Sequence, residues 1–258
     1  MSATSSDLTG RVAVVTGGAS GMGAATVGLL AANGVRVVAT DVSEVGREVA
    51  DRHGAHFVEQ DVSDPATWTS LRNFISETYG RLDIMVNNAG IIVANPIDQL
   101  DLALWHQVIG VNLTGTALGC QFAIGLMREN PGGPSGSIIN IASTTAYAGM
   151  PSDAGYVASK GGVRALNRAV AVLCGRQGLN IRSNCVIPGA TDTGIVERAA
   201  ELNPGVRDRL AAMSPLSRVG QPIDIAEAVL FLASDRSNFM TGSDVIVDGG
   251  ALAVHPGY

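Results

Sequence analysis

Short runs of β-branched residues alternate with helical segments along the 258-residue chain, and this alternation limits the fold more than any other feature. Val12–Thr16 (VAVVT) is apolar up to its last residue, the form of a strand buried on both faces. Val35–Thr40, Ala55–Glu59, Leu82–Val86, Ser137–Ile141, Asn180–Val186 and Asp244–Val247 read as further strands. Between them Ala24–Ala32, Ser43–His53, Pro65–Tyr79, Leu102–Met127, Ala154–Gln177 and Ile223–Ala233 read as helices. Asn33-Gly34 closes the first helix, while Asp64 and Pro65 open the third. Parallel strands joined by crossover helices must cover both sheet faces. The expected fold is therefore an α/β, doubly wound parallel sheet of about seven strands in three α/β/α layers. No linker, compositional break or repeat divides the chain, so 1–258 reads as one domain.

Composition narrows the function classes. Seventeen basic against 23 acidic residues give a net charge of −6, and no Lys/Arg-rich run appears. Neither nucleic acid nor a membrane surface is an expected partner. Leu102–Met127 carries no formal charge and has the length of a bilayer span. Its Gln107, Asn112, Thr114, Thr116 and Gln121 argue instead for a helix buried in the protein or at a subunit contact. Cys120, Cys174 and Cys185 lie far apart, and the start MSATSSDLTG lacks a basic, then apolar, leader pattern. Both readings predict a cytoplasmic protein. His53, His56, His106 and His255 show no metal-type spacing, so no catalytic metal is expected.

The segment Thr16-Gly17-Gly18-Ala19-Ser20-Gly21-Met22-Gly23 joins the first strand to an alanine-rich helix. Glycines there let backbone N–H groups approach a pyrophosphate at the positive end of the helix. Tight strand–helix turns also use glycine without binding anything. Asp41, eighteen residues beyond Gly23, ends the second strand, where a carboxylate can accept hydrogen bonds from an adenosine ribose. An aspartate there can also cap the segment that follows. In the ribose role it would repel a 2′-phosphate, and neither Ser20 nor Val42 offers a compensating cation, so NAD(H) is preferred over NADP.

The spacing T-G-x-x-x-G-x-G, with the motifs that follow it, resembles the short-chain dehydrogenase/reductase family in its single-domain form. Asn87-Asn88-Ala89-Gly90 follows the fourth strand, Asn112 sits in the long helix, and Ser143 follows the fifth strand. Tyr156-Val157-Ala158-Ser159-Lys160 matches Y-x-x-x-K, Pro188-Gly189 follows the sixth strand, and Thr193 lies five residues past the proline. The ending Thr241-Gly242-Ser243-Asp244 to Asp248-Gly249-Gly250 completes the order, so the likeness spans nearly the whole chain. It implies a Rossmann-type fold, a nicotinamide cofactor and a homotetramer. It also implies a cofactor site of Gly17, Ser20, Gly21, Met22, Gly23, Asp41, Asn88, Ala89, Gly90, Pro188, Gly189, Thr191 and Thr193. Asp61-Val62 resembles the adenine-contacting pair, though Asp61 could equally cap the turn before Asp64.

The chemistry can be argued from the residues as well. Oxidising a secondary alcohol needs a base for the hydroxyl proton while hydride leaves. A tyrosine pKa of about 10 must fall by ~2–3, about 3–4 kcal/mol, to serve near neutrality. Tyr156 and Lys160 share one helix face. A cation ~4 Å away in an effective dielectric of ~20 is worth about 4 kcal/mol, so one lysine, helped by the oxidised nicotinamide's charge, is enough in size. The small neighbours Ala158, Ser159, Gly161 and Gly162 let this helix pack closely. Ser143 would hydrogen-bond the substrate oxygen, or simply satisfy a turn. By resemblance Asn112 anchors a proton-relaying water, and Lys160 also contacts the cofactor ribose. The expected catalytic set is Asn112, Ser143, Tyr156 and Lys160.

Val93, Ser143, Thr145, Tyr147, Met150, Val196 and Met213 are the expected substrate wall, mostly apolar and without an arginine near Ser143. Asp153 would repel an anion if it faced this pocket. The expected substrate is a small hydrophobic secondary alcohol or ketone (alicyclic, terpenoid, steroid-like or aryl-alkyl), covered by a lid at 191–213. Two other readings stand beside it: a 3-oxoacyl thioester reductase, disfavoured by Asp41, and a catalytically silent NAD-binding sensor, disfavoured by the intact Asn112–Ser143–Tyr156–Lys160 set.

Overall fold

The structure, a computed structural model, describes residues 8–254. Seven strands, β1 (Val12–Thr16), β2 (Arg36–Asp41), β3 (His56–Glu59), β4 (Ile84–Asn87), β5 (Ser135–Ile141), β6 (Asn180–Pro188) and β7 (Asp244–Val247), form one sheet. Its order is β3-β2-β1-β4-β5-β6-β7, and every neighbouring pair is parallel. The winding reverses between β1 and β4, so a crevice opens beyond the carboxyl ends of those strands. The helices are α1 (Gly21–Ala32), α2 (Val45–His53), α3 (Pro65–Thr78), α4 (Leu102–Ile109), α5 (Gly115–Met127), α6 (Ala154–Arg176), α7 (Gly194–Leu202), α8 (Val206–Ala212) and α9 (Pro222–Ala233).

Alternation along β1 builds two cores. Ala13 and Val15 join Val27 and Leu30 of α1, Val49 of α2 and Val229 of α9 on one face. Val12 and Val14 join Leu71 of α3, Phe122 of α5 and Val170 of α6 on the other. This is the three-layer arrangement expected of strands that are apolar on both sides. Asp64 caps α3 by accepting from the Ala66 N–H at 2.9 Å, with Pro65 in the first turn. Helix α1 starts three residues earlier than periodicity predicts, so the last glycines of the turn form its first turn.

The uncharged stretch Leu102–Met127 is long and apolar enough, by length and composition, to cross a membrane. In the fold Cys120, Phe122, Ala123 and Leu126 of α5 are buried against the sheet. Between α4 and α5 the stretch widens into a π-helical turn, Gly110–Thr114, which contains the buried Asn112. Such widened turns re-aim single residues and often mark functional sites.

Candidate active site

The glycine turn is shaped by its backbone. Gly17 (φ +66°) and Gly21 (φ +53°) occupy the left-handed region. A Cβ at Gly17 would stand 2.8 Å from Ala89 Cα, and one at Gly23 would overlap the Gly17 carbonyl oxygen and lie 2.6 Å from Asn88 Nδ2. Asn88 holds the end of β4 against this turn, its Nδ2 donating to the carbonyls of Thr16 (2.9 Å) and Gly17 (3.1 Å). Ser20, extended at the start of α1, makes no side-chain cap, and no acidic residue occupies the first turn. The helix therefore presents uncapped N–H donors and its positive end to the crevice, which suits an anion.

The crevice holds a cavity of about 500 Å³ lined by Gly17, Ser20–Gly23, Asp41, Asp61, Val62, Asn88–Gly90 and Thr193. Asp41 Oδ2 accepts from the Ala19 N–H (3.1 Å) and Oδ1 from the Ser43 N–H (3.0 Å). The carboxylate is thereby fixed on the glycine turn with lone pairs left for sugar hydroxyls. Asp61 Oδ1 accepts from Ser63 N–H and Oγ, leaving Oδ2 for another donor. Close-packed glycines, an uncapped helix end and a carboxylate at the tip of β2 fit a dinucleotide. The same cavity is also lined by Gln60, Gln107, Val111 and Arg198, which sequence reasoning missed. Thr193 reaches the turn from the far side, with its Cγ2 3.1 Å from a Cβ position at Gly21. Thr191 is buried and donates to the Gly189 carbonyl, and Gly189 lets that chain lie against Asp248.

The expected catalytic residues converge where this cavity ends. Tyr156 stands in the first turn of α6, which Asp153 caps by accepting from the Tyr156 N–H at 2.9 Å. The other Asp153 oxygen accepts from the Val93 N–H at 2.8 Å. Asp153 is thus a buried clamp and does not face the substrate pocket. Ser143 lies beside Tyr156 and pulls its pKa down, but burial, the largest influence, pushes it up, and Asp153 adds to the rise. Lys160 Nζ stands 5.6 Å from the Tyr156 ring centroid and donates to the Ile141 carbonyl at 2.9 Å. Among the protein's own groups Ser143 is the one that lowers Tyr156, and the lowering expected of Lys160 counts the oxidised nicotinamide's charge beside it. Burial depresses the pKa of Lys160 itself to about 8.

Asn112 is consumed by clamping. Its Oδ1 accepts from Ile91 N–H (2.8 Å), and its Nδ2 donates to the Ile91 carbonyl (2.9 Å) and Ser159 Oγ (3.1 Å). A Cβ at Gly90 would lie 3.4 Å from both Asn112 Oδ1 and Lys160 Nζ, so Gly90 is the floor shared by the cavity and the catalytic group.

A second cavity, about 740 Å³, extends from Thr144 and Gly189 to Met213 and the segment Ile246–Val254. Of the expected substrate wall, Met213 lines it, and Ser143 lines neither cavity but directly precedes the lining residue Thr144. Val93, Thr145, Tyr147, Met150 and Val196 line neither cavity. Tyr147 is engaged elsewhere: its hydroxyl donates to Asp244 Oδ2 at 2.7 Å, and the Arg164 guanidinium lies 3.7 Å over its ring. Arg164 is two turns of α6, about 12 Å, beyond Tyr156. The Ile246–Val254 wall includes the strand end and the Asp248-Gly249-Gly250 ending read from the sequence, but nothing in them marked it as a pocket wall. Among the described residues no group of three or more His, Cys, Asp or Glu side chains could hold a metal. His56 pairs with the Tyr79 hydroxyl, His53 lies over Gly28, and His255 is outside the described residues.

Lys160 makes a stability prediction. The unfolded chain keeps the lysine proton up to about pH 10.5 and the folded protein only to about 8. Between those values the unfolded state binds more protons, so this group's contribution to stability rises with pH and is most unfavourable below 8. Lys160→Met should be more stable than the wild type at pH 7 by up to about 3 kcal/mol. The gap should close by about pH 10.5. Urea unfolding at the two pH values measures this; a gap that does not change would mean the ammonium is solvated in the fold.

Comparison with known proteins agrees with the geometry. Residues 17–251 match the family described as enoyl-(acyl carrier protein) reductase. The chain is 42% identical to cis-4-hydroxycyclohexanecarboxylate dehydrogenase of Sinomonas cyclohexanicum, over 95% of this chain and 97% of that one. It is 38% identical to 3-beta-hydroxysteroid dehydrogenase of Comamonas testosteroni (96% and 98%). It is 36% identical to the NADP-dependent (R)-specific alcohol dehydrogenase of Lentilactobacillus kefiri (95% and 98%). Aldohexose dehydrogenase of Thermoplasma acidophilum superposes with a TM-score of 0.89 at 31% identity, over 97% of each chain. The chain belongs to the short-chain dehydrogenase/reductase family. It is accordingly an oxidoreductase of a family that works with a nicotinamide cofactor.

Proposed function

We propose that the protein interconverts a neutral, hydrophobic secondary alcohol and its ketone with NAD(H), using Tyr156 as acid–base. The observation that carries this reading is the convergence of Ser143, Tyr156 and Lys160 at the Gly90 end of a dinucleotide-shaped crevice. The nicotinamide ring, when bound, supplies hydride acceptance or donation. Tyr156 exchanges the hydroxyl proton, and Ser143 holds the substrate oxygen against it. Lys160 keeps positive charge beneath the phenol, and Asn112 fixes Ile91 and Ser159 so that this floor does not shift.

Asp41 supports NAD over NADP, because a 2′-phosphate would be forced against a carboxylate held by two backbone donors. Asp41→Ser should weaken NADH binding and improve NADPH binding, moving the ratio by about 10–100-fold, the size of one or two charged hydrogen bonds. Titrations of both cofactors by fluorescence test this, and an unmoved ratio would remove Asp41 from cofactor choice.

The second cavity supports a neutral ring substrate. Its one lining cation among the described residues, Arg218, is paired with Asp224 at 2.6 Å, and Asp248 accepts from the backbone of Gly250 and Leu252. No lining charge is left to hold a carboxylate. A panel of alicyclic and aryl-alkyl secondary alcohols, read as NADH absorbance, should favour neutral rings over their carboxylated analogues at least about tenfold. Preference for the carboxylated members would overturn the neutral assignment, a sharp outcome given the relative that acts on a hydroxycyclohexanecarboxylate. We take the segment 191–213 as the lid over this site. The protein as a cytoplasmic homotetramer completes the proposal: its three cysteines are free and buried, and Val172, Leu173, Phe239 and Ile246 are exposed apolar residues suited to subunit contacts. Light scattering would read the tetramer.

A further inference from the structure

The crevice is electrostatically unbalanced for the ligand it fits. Among the described residues lining it, Asp41 and Asp61 carry negative charge, and the whole chain carries −6. A pyrophosphate brings further negative charge to the glycine turn. Among the described residues one cation lines the cavity: Arg198, on α7. Its Nε donates to the Gly194 carbonyl at 3.2 Å, which folds the side chain back over the first turn of α7, and among the described residues its guanidinium forms no ion pair. The nearby Arg207 is by contrast paired with Asp192. The start of α7 lies directly against the glycine turn, since Thr193 stands 3.1 Å from a Cβ position at Gly21. The guanidinium therefore belongs to the same end of the crevice as the uncapped start of α1.

We infer that Arg198 binds the pyrophosphate of the dinucleotide from the lid side, opposite the N–H groups of the glycine turn, and so fastens α7 and α8 over the bound cofactor. This rests on the crevice being a dinucleotide site. A guanidinium suits the role because it pairs with two phosphate oxygens at once, where a lysine offers a point charge. The pairing makes the lid a reader of the pyrophosphate itself, independent of either base.

The test is binding to wild-type protein, Arg198→Gln and Arg198→Lys, with NADH, NADPH, ADP and adenosine as probes and salt varied. Arg198→Gln should bind NADH and ADP about tenfold or more weakly, a loss sized for a charged hydrogen bond. Its affinities should also depend less on salt, since one charge contact is gone. Adenosine affinity should be unchanged, and Arg198→Lys should recover part of the loss. Limited trypsin digestion adds a readout of the lid: NADH and ADP should slow cleavage at Arg207 and Arg209 in the wild type but not in Arg198→Gln. Equal affinity and equal salt dependence in wild type and Arg198→Gln would overturn the inference while leaving the cofactor site intact. A loss confined to NADPH would overturn it too, by assigning the guanidinium to a 2′-phosphate. A wild type that binds none of the dinucleotides would instead overturn the cofactor reading.

Discussion

Tyr156→Phe should lose turnover by about 10³–10⁴-fold while NADH binding stays within about twofold. The upper range expected for a positioned acid–base applies because no second group can take the proton. Asp153, the nearest carboxylate, spends both oxygens on the backbone of Tyr156 and Val93. Lys160 Nζ is tied to the Ile141 carbonyl. The phenylalanine removes only the hydroxyl, and the ring still fills the space above Lys160. Binding measured by NADH fluorescence separates this loss from a damaged crevice. Burial holds the Tyr156 pKa up, so the base form is the scarce one at neutral pH. Alcohol oxidation should therefore rise as pH increases above neutrality, while ketone reduction, which uses the protonated form, should stay level until the pH approaches the raised Tyr156 pKa. Ser143→Ala should move the rise in alcohol oxidation to higher pH, because it removes the one neighbour that lowers the Tyr156 pKa. A phenylalanine variant retaining more than about a tenth of wild-type turnover would exclude Tyr156 as the acid–base.

The strands and the crevice were legible because both follow from short-range rules. VAVVT is short, β-branched and followed by a glycine turn, which favours a strand buried on both faces, and it is found as β1 from Val12 to Thr16. The turn after it has to be glycine-rich where Gly17 and Gly21 adopt positive φ. Asp41 was legible for the same reason: it closes β2, and strand ends in this topology meet at the crevice. The substrate wall was harder. Tyr147 follows Ser143 by four residues, yet its partners Arg164 and Asp244 are 17 and 97 residues away, and those partners turn it out of the site. Arg198 shows the reverse failure. Nothing in its local sequence links it to Gly21, and only the return of α7 against the turn puts a cation in the crevice. The small residues after Tyr156 divide in the same way. A Cβ at Gly162 would stand 2.8 Å from the Leu113 Cδ2 methyl, which would have to shift, and Ser159 bonds Asn112, whereas Gly161 meets nothing within 4 Å.

A methyl at Gly23 has nowhere to go: it would overlap the Gly17 carbonyl oxygen and press Asn88 Nδ2, both of which hold the ends of β1 and β4 together. The first is backbone, and the second is a side-chain amide held by two hydrogen bonds to the turn. Relief requires the turn to move away from the start of α1, which is the same displacement that would spoil the anion cradle. Gly23→Ala should therefore lose about 3 kcal/mol or more of stability, at the upper end of overpacking. It should also reduce NADH affinity below detection even where the fold survives. Gly161→Ala is the matched control, a glycine in a helix with open space around it, expected to be neutral or to gain about 0.5–1 kcal/mol with unchanged NADH binding. Urea unfolding and NADH titration of the two variants separate the cases. If Gly23→Ala kept wild-type stability and affinity, the turn would have slack that its packing denies, and the glycines would be ordinary turn residues with no part in holding a pyrophosphate.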